Sequence, residues 1–203
     1  MNLFILSLNF AQCAEYMIDK HVSKMILEAV QMLCTAVHLL DPDADIEEQL
    51  YKATHKNHPV SIWIRESQEN FIWTLNMVDA MHTEWKYRYG HPIEKMHKSY
   101  ELAVYISYIV PSEDKFPHVG LTPFAQAMPD EYKCENAVDA YRTYYQSPLK
   151  QVFASWKSPR EKPDWYVVQT PPISSENTEK PKRITIRIKI HKHSKHSIMK
   201  KNT

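Results

Sequence analysis

The stretch Cys13–Leu40, CAEYMIDKHVSKMILEAVQMLCTAVHLL, decides the fold class. Ile18, Val22, Met25, Ile26, Ala29, Leu33, Ala36, Val37 and Leu40 recur at intervals of three and four. That period puts side chains on one face of a helix. The stretch predicts one long helix with a broad apolar stripe. Lys20 and Lys24 share a face of it, with His21 on the flank of the stripe.

Working outward, the apolar run Leu3–Leu8 predicts a short buried strand before the helix. Downstream, DPDADIEE (41–48) breaks the helix and predicts a short one reaching about Ala53. His58-Pro59 reads as the start of the next helix, because proline is favoured at the first helical position. That helix is expected to run from Pro59 to Tyr89 and to stop at Gly90 in a left-handed cap. Further helices are expected over Glu94–Val110, Glu135–Gln146 and Leu149–Trp156. Between them lies a Pro-punctuated loop, 111–130, with one helical turn near Phe124–Met128. The expected architecture is all-α: a mostly helical single domain, 1–166, with a short N-terminal strand. A Pro-rich linker and basic tail, 167–203, follow it.

Composition narrows the function classes. The 203 residues include only two glycines, Gly90 and Gly120. Phosphate-cradling loops and dinucleotide fingerprints need several glycines close together, so glycine-loop ATP or NAD binding is excluded. No cofactor is expected. The three cysteines, Cys13, Cys34 and Cys134, include no CxxC pair. This argues against a disulfide scaffold and for a reducing intracellular compartment. The first residues lack a basic n-region and a small-residue cleavage site, unlike a signal peptide. No stretch is expected to approach the roughly 20 apolar residues of a bilayer span, so no membrane partner is expected.

Charge is distributed unevenly. Residues 176–203 hold nine Lys/Arg against two Glu, while the rest of the chain holds 16 Lys/Arg against 22 Asp/Glu. A mildly acidic body with a basic arm suggests an anionic partner, with nucleic acid first. The arm includes RITIRIKI (183–190), whose strict alternation suits a strand or an unpaired tail.

Four clusters could carry chemistry. Asp19, Lys20, His21 and Lys24 offer an acid, a base and two cations, or simply charge at the stripe's edge. His55, Lys56, Asn57 and His58, with Arg65, stand at a helix N-terminus suited to phosphate, or serve as its cap. The spacing His-x-x-His lacks the carboxylates of a metal site, so no metal is expected. In the loop 120–132, Thr122 and Gln126 could hydrogen-bond a ligand, and Asp130 and Glu131 could move protons. The alternative is a loop that covers the bundle. Trp156 and Lys157, with Trp165 and Tyr166, could stack on bases and hold phosphates, or seal the core.

The segments MNLFILSLNFAQCAEYMIDKHVSKMILEAVQMLCTAVH, YKATHKNHPVSIWIRES, YRYG, GLTPFAQAMP and ASWK resemble an uncharacterised family found in phages and large DNA viruses. The likeness covers about residues 1–166 and implies no activity. In its order of features the chain also resembles the endonuclease V-type pyrimidine-dimer DNA glycosylases. The short apolar start, the long first helix, Asn57-His58-Pro59 and Pro163-Asp164-Trp165-Tyr166 carry that similarity.

This second resemblance implies an imine mechanism, in which the N-terminal α-amine attacks the sugar carbon. α-Amines ionise near pH 8, so part of the population is nucleophilic at neutral pH. The amine would be that of Met1, since Asn2 is large enough for Met1 to be retained. The assisting carboxylate would be Asp19, with Glu15 as second choice, and Lys20, His21 and Lys24 would hold phosphates. The family's Arg-Glu pair on that helix is not present.

Three readings follow. One is a virus-encoded, glycosylase-like DNA-binding protein acting on damaged or modified bases. The second is an enzyme acting on a nucleotide or other small phosphorylated ligand. The third is a non-catalytic nucleic-acid-binding module.

Overall fold

The computed structural model describes residues 1–42 and 49–167. Its elements are α1 (Phe10–Tyr16), α2 (Asp19–Leu40), α3 (Pro59–Ile64), α4 (Gln68–Tyr89), α5 (Lys98–Ser107), α6 (Ala137–Tyr145) and α7 (Pro148–Gln151). Two 3-10 turns, Glu113–Lys115 and Asp130–Tyr132, lie between α5 and α6. The described residues are all-α and contain no strand, only an isolated bridge between Ser67 and His118.

The central element is α2, which packs on α3, α4 and α5, while α1 packs on α4. By length and composition α2 could cross a membrane, contrary to the sequence expectation, yet 67% of its most apolar window is buried in this fold. The described residues belong to one compact unit, Met1–Gln169. The expectations for 43–48 and for the linker and basic tail beyond 167 lie outside the described residues.

Two expected helices are each divided in two. The first breaks at Met17-Ile18, where both residues are extended. The break is made by distant groups. The buried Arg88 donates to the carbonyls of Met17 at 2.6 Å and Glu15 at 2.9 Å, the carbonyls that end α1. The Asp19 N–H that opens α2 donates to the Ser155 carbonyl at 2.9 Å. Both helix ends are thus satisfied without a continuous helix.

The second break is local. Ser67 is extended, and its hydroxyl accepts from the Asn70 N–H at 3.1 Å, capping α4. At the far end Gly90 takes the expected left-handed C-cap, with φ 61°. His58 caps α3 with Pro59 at its first position, also as expected.

The expected N-terminal strand is absent. Leu3–Leu6 is buried but pairs with no other strand. Side chains satisfy its backbone instead. Cys13 Sγ accepts from the Leu6 N–H at 3.3 Å and donates to the Phe4 carbonyl at 3.2 Å. Arg142 Nε donates to the Leu6 carbonyl at 2.9 Å. Backbone groups must be paired when buried, and here a thiol and a guanidinium replace a sheet.

The helical turn expected near Phe124–Met128 is likewise irregular, and the turn falls later, at Asp130–Tyr132. A charge network centred on the buried Glu84 and Arg88 fixes the chain beyond α7. Glu84 accepts from Arg88 at 2.8 Å and from Arg160 Nη2 at 2.8 Å, and Arg160 lies 3.5 Å from Glu15.

Candidate functional site

Glu28 lies two turns along α2 from His21 and one turn from Lys24. Its side chain is only 12% exposed. A buried carboxylate requires partners, and Glu28 has three. Its Oε2 accepts from the Asn2 N–H at 2.9 Å and lies 3.7 Å from the Met1 α-amine. Its Oε1 lies 3.3 Å from Lys24 Nζ. The Met1 side chain is 6% exposed while the residue as a whole is half-buried. What reaches solvent is therefore its main chain.

The start of the chain is clasped by three separate elements. Besides Glu28 on α2, the Ala127 carbonyl accepts from the Asn2 side-chain amide at 2.8 Å. The Tyr141 hydroxyl on α6 lies 3.1 Å from Asn2 Oδ1 and 2.8 Å from the Ala125 carbonyl, and accepts from the Ala127 N–H at 3.2 Å. The 120–132 loop thus holds the N-terminus.

His58 joins this group. Its Nδ1 accepts from the Val60 N–H at 3.3 Å. Burial, then the positive charges of the Met1 amine and His55, push its pKa below the usual histidine value, against the pull of Glu28. His55 is exposed in the left-handed region, φ 49°, with Nδ1 2.7 Å from the Thr54 hydroxyl.

Several sequence-selected residues have other occupations. The carboxylate beside the amine is Glu28, not Asp19 or Glu15. Asp19 accepts from Arg88 at 3.2 Å, from the Ser155 hydroxyl at 2.8 Å and from the Lys157 N–H at 2.9 Å, which ties α2 to the 155–157 segment. Nine residues of helix, about 13 Å, separate it from Glu28.

His21 is a core residue. Its ring stacks on Phe4 at 4.4 Å and 6°, and its Nδ1 is 2.5 Å from the Tyr145 hydroxyl. Burial, then the charges of Lys150 and Lys24, lower its pKa to about 3. It is neutral at pH 7, not a phosphate cation or a proton carrier.

Thr122 is a loop anchor. Its hydroxyl donates to Glu66 at 2.8 Å and accepts from Asn70 at 2.6 Å, while its N–H donates to Asn70 at 3.0 Å. Gln126 spends both ends of its amide on the Cys134 backbone. Arg65 donates to the Ser61 and Lys56 carbonyls at 2.8 and 2.9 Å, bracing the turn before α3. Asp130 pairs with Lys133 at 2.7 Å. Trp156 donates to the Tyr16 carbonyl at 3.1 Å and packs edge-on to Tyr166, sealing the C-terminal segment.

Lys20, Lys24, Lys56, Asn57 and Lys157 have exposed positions. His21 lies in the core, His55 is exposed and Thr122 is tied to Glu66 and Asn70. Two clefts, of about 590 and 520 Å³, run along α4 and share Asp79, Thr83 and Tyr87. Neither is lined by the residues at the amine. Among the described residues no group of three or more His, Cys, Asp or Glu could hold a metal ion.

Sequence reasoning missed Glu28 and Lys150. Comparison with protein-family models, curated proteins and solved structures finds no match.

Proposed function

We propose that this chain acts on damaged or modified bases in DNA by glycosylase/lyase-type chemistry, with the Met1 α-amine as nucleophile and Glu28 as the carboxylate that serves it. The 3.7 Å approach of Met1 N to a largely buried glutamate carries this reading. The lysines around the pair suit an anionic substrate.

In the proposed step the amine nitrogen bonds to C1′ of the sugar as the glycosidic bond breaks. The base leaves with that electron pair and takes up a proton. Glu28 accepts the proton shed by nitrogen, and ring opening leaves an imine. Loss of a C2′ proton then expels the 3′ phosphate. The basic arm beyond 176 would supply sequence-independent attraction to DNA.

Borohydride trapping tests the reading. The full chain, with its free α-amine verified by intact mass, is incubated with abasic duplex and sodium borohydride. A covalent adduct on the Met1 peptide is expected, lost on α-acetylation and reduced at least tenfold by Glu28→Gln. Glutamine keeps an acceptor for the Asn2 N–H, so the variant should fold. Absence of any adduct, or an acetylated protein that traps normally, overturns the reading.

A further inference from the structure

Lys150 is given no task by that chemistry, yet its setting is specific. Its Nζ stands 4.8 Å from the ring centroid of Phe4, 5.0 Å from that of Tyr144 and 5.8 Å from that of Phe153. Lys20 Nζ stands 5.2 Å from the same Phe153 centroid. The two ammonium groups are therefore no more than about 11 Å apart. Lys24 follows Lys20 by one turn of α2, and its Nζ lies 3.3 Å from Glu28 Oε1.

The charges do not balance. The Met1 amine and Lys24 both lie against Glu28 and Lys150 feels its charge, while Lys20 reaches the same aromatic floor through Phe153. The Glu28 carboxylate is already engaged by the Asn2 N–H, the amine and Lys24. Among the described residues neither Lys20 nor Lys150 forms an ion pair or a hydrogen bond through its ammonium.

The aromatic faces favour keeping Lys150 charged. Burial and the neighbouring Lys24 oppose this and lower its pKa, with Glu28 pulling the other way. An anion arriving here would meet preplaced cations on an apolar floor, where charge–charge attraction is screened less than on an open surface.

We infer that Lys20, Lys24 and Lys150 form a phosphate-binding subsite against the Met1–Glu28 pair, floored by Phe4, Tyr144 and Phe153, with Lys150 as its central cation. Its assignment to the phosphodiester flanking a lesion rests on the glycosylase/lyase reading. Recognition of phosphate itself does not, because a free phosphate ester presents the same charged oxygens.

The test compares the full-length chain with Lys150→Met, which keeps the stem packed on the rings, and with Lys150→Arg, which keeps the charge. Lys115→Met, at a residue paired with Asp41 at the opposite end of α2, is the control. One arm measures binding of a duplex carrying a tetrahydrofuran abasic analogue over a range of salt. The other titrates inorganic phosphate and deoxyribose 5-phosphate by calorimetry. Thermal unfolding checks that each variant is folded.

Lys150→Met is expected to weaken duplex binding about tenfold and to lower the salt slope by about one. It should abolish the phosphate heat, whereas Lys150→Arg and Lys115→Met stay near wild type. If duplex binding, salt slope and phosphate heat are all unchanged in folded Lys150→Met, the subsite is wrong although the DNA reading stands. If the wild-type chain ignores duplex but its phosphate heat is lost in Lys150→Met, the subsite stands and the DNA reading fails. If the wild type binds neither, both fail.

Discussion

His21 Nδ1 and the Tyr145 hydroxyl are 2.5 Å apart in the core, with Phe4 stacked on the imidazole. This pairing explains how a histidine next to two lysines stays buried, and it has a pH consequence. The folded-state pKa is about 3 against an ordinary 6.5, so the unfolded chain binds the extra proton. The contribution is therefore fully present above pH 6.5. It is lost as pH falls from 6.5 towards 3, by at most about 1.4 kcal/mol per unit. Denaturant melts at pH 7 and pH 4.5 should show a smaller acid loss in His21→Gln than in wild type. An equal loss would place the acid sensitivity elsewhere. Tyr145→Phe should cost about 1–3 kcal/mol at pH 7 by leaving the imidazole without its partner.

Arg88 should be the most costly single charge to remove. It is 2% exposed, pairs with Glu84 and Asp19, and caps the carbonyl end of α1. Arg88→Met strips a buried carboxylate of one partner and uncaps a helix, for an expected loss of about 3–5 kcal/mol. Arg160→Met should cost less, since its side chain is 23% exposed and Glu84 keeps Arg88. Urea unfolding of the two variants ranks them, and a reversed order would contradict the network.

Thr122→Val separates a loop anchor from a ligand contact. The hydroxyl links Glu66 on one side and Asn70 on the other. The substitution should lower stability by about 1–3 kcal/mol and leave abasic-duplex affinity within about twofold at a temperature where the variant is folded. A large affinity loss with unchanged stability would return Thr122 to the ligand.

Residues 176–203 carry nine Lys/Arg against two Glu. A chain ending at 175 should bind duplex more weakly at low salt, with a salt slope shallower by several units. Its trapping yield at saturating DNA should be unchanged. Binding isotherms between about 50 and 200 mM salt decide this, and an unaltered slope would leave the arm without a role on DNA.

Periodicity revealed the α2 stripe, and single residues marked Gly90 and His58-Pro59 as helix limits. Ser67 with Asn70 was an equally local signal for the start of α4, hidden inside an otherwise continuous pattern. The break at Met17-Ile18 had no local signal, because Arg88, far along the chain, makes it. The N-terminal strand failed for a related reason: a continuous apolar run shows burial but not what its backbone bonds to.

At the candidate site, Glu28 was legible in principle. It stands seven residues after His21 and four after Lys24, on the same helix face. Flanked by Leu27 and Ala29, it has in sequence the pattern of one more charge on a mixed surface. Lys150 carried no signal, since its aromatic surroundings come from residue 4 and from residues on and beyond α6. Thr122 and Gln126 suited a ligand or a clasp equally well in one dimension. Only folding chose between them.

The thiol that stands in for a strand partner also provides a kinetic probe. Cys13 and Cys34 are buried, and burial raises both pKa values to about 11, whereas Cys134 is exposed. A thiol reagent should therefore modify Cys134 at once. It can reach Cys13 only after Leu3–Leu6 has detached, so in Cys34→Ala/Cys134→Ala protein the labelling rate times how often the segment bearing the amine lets go.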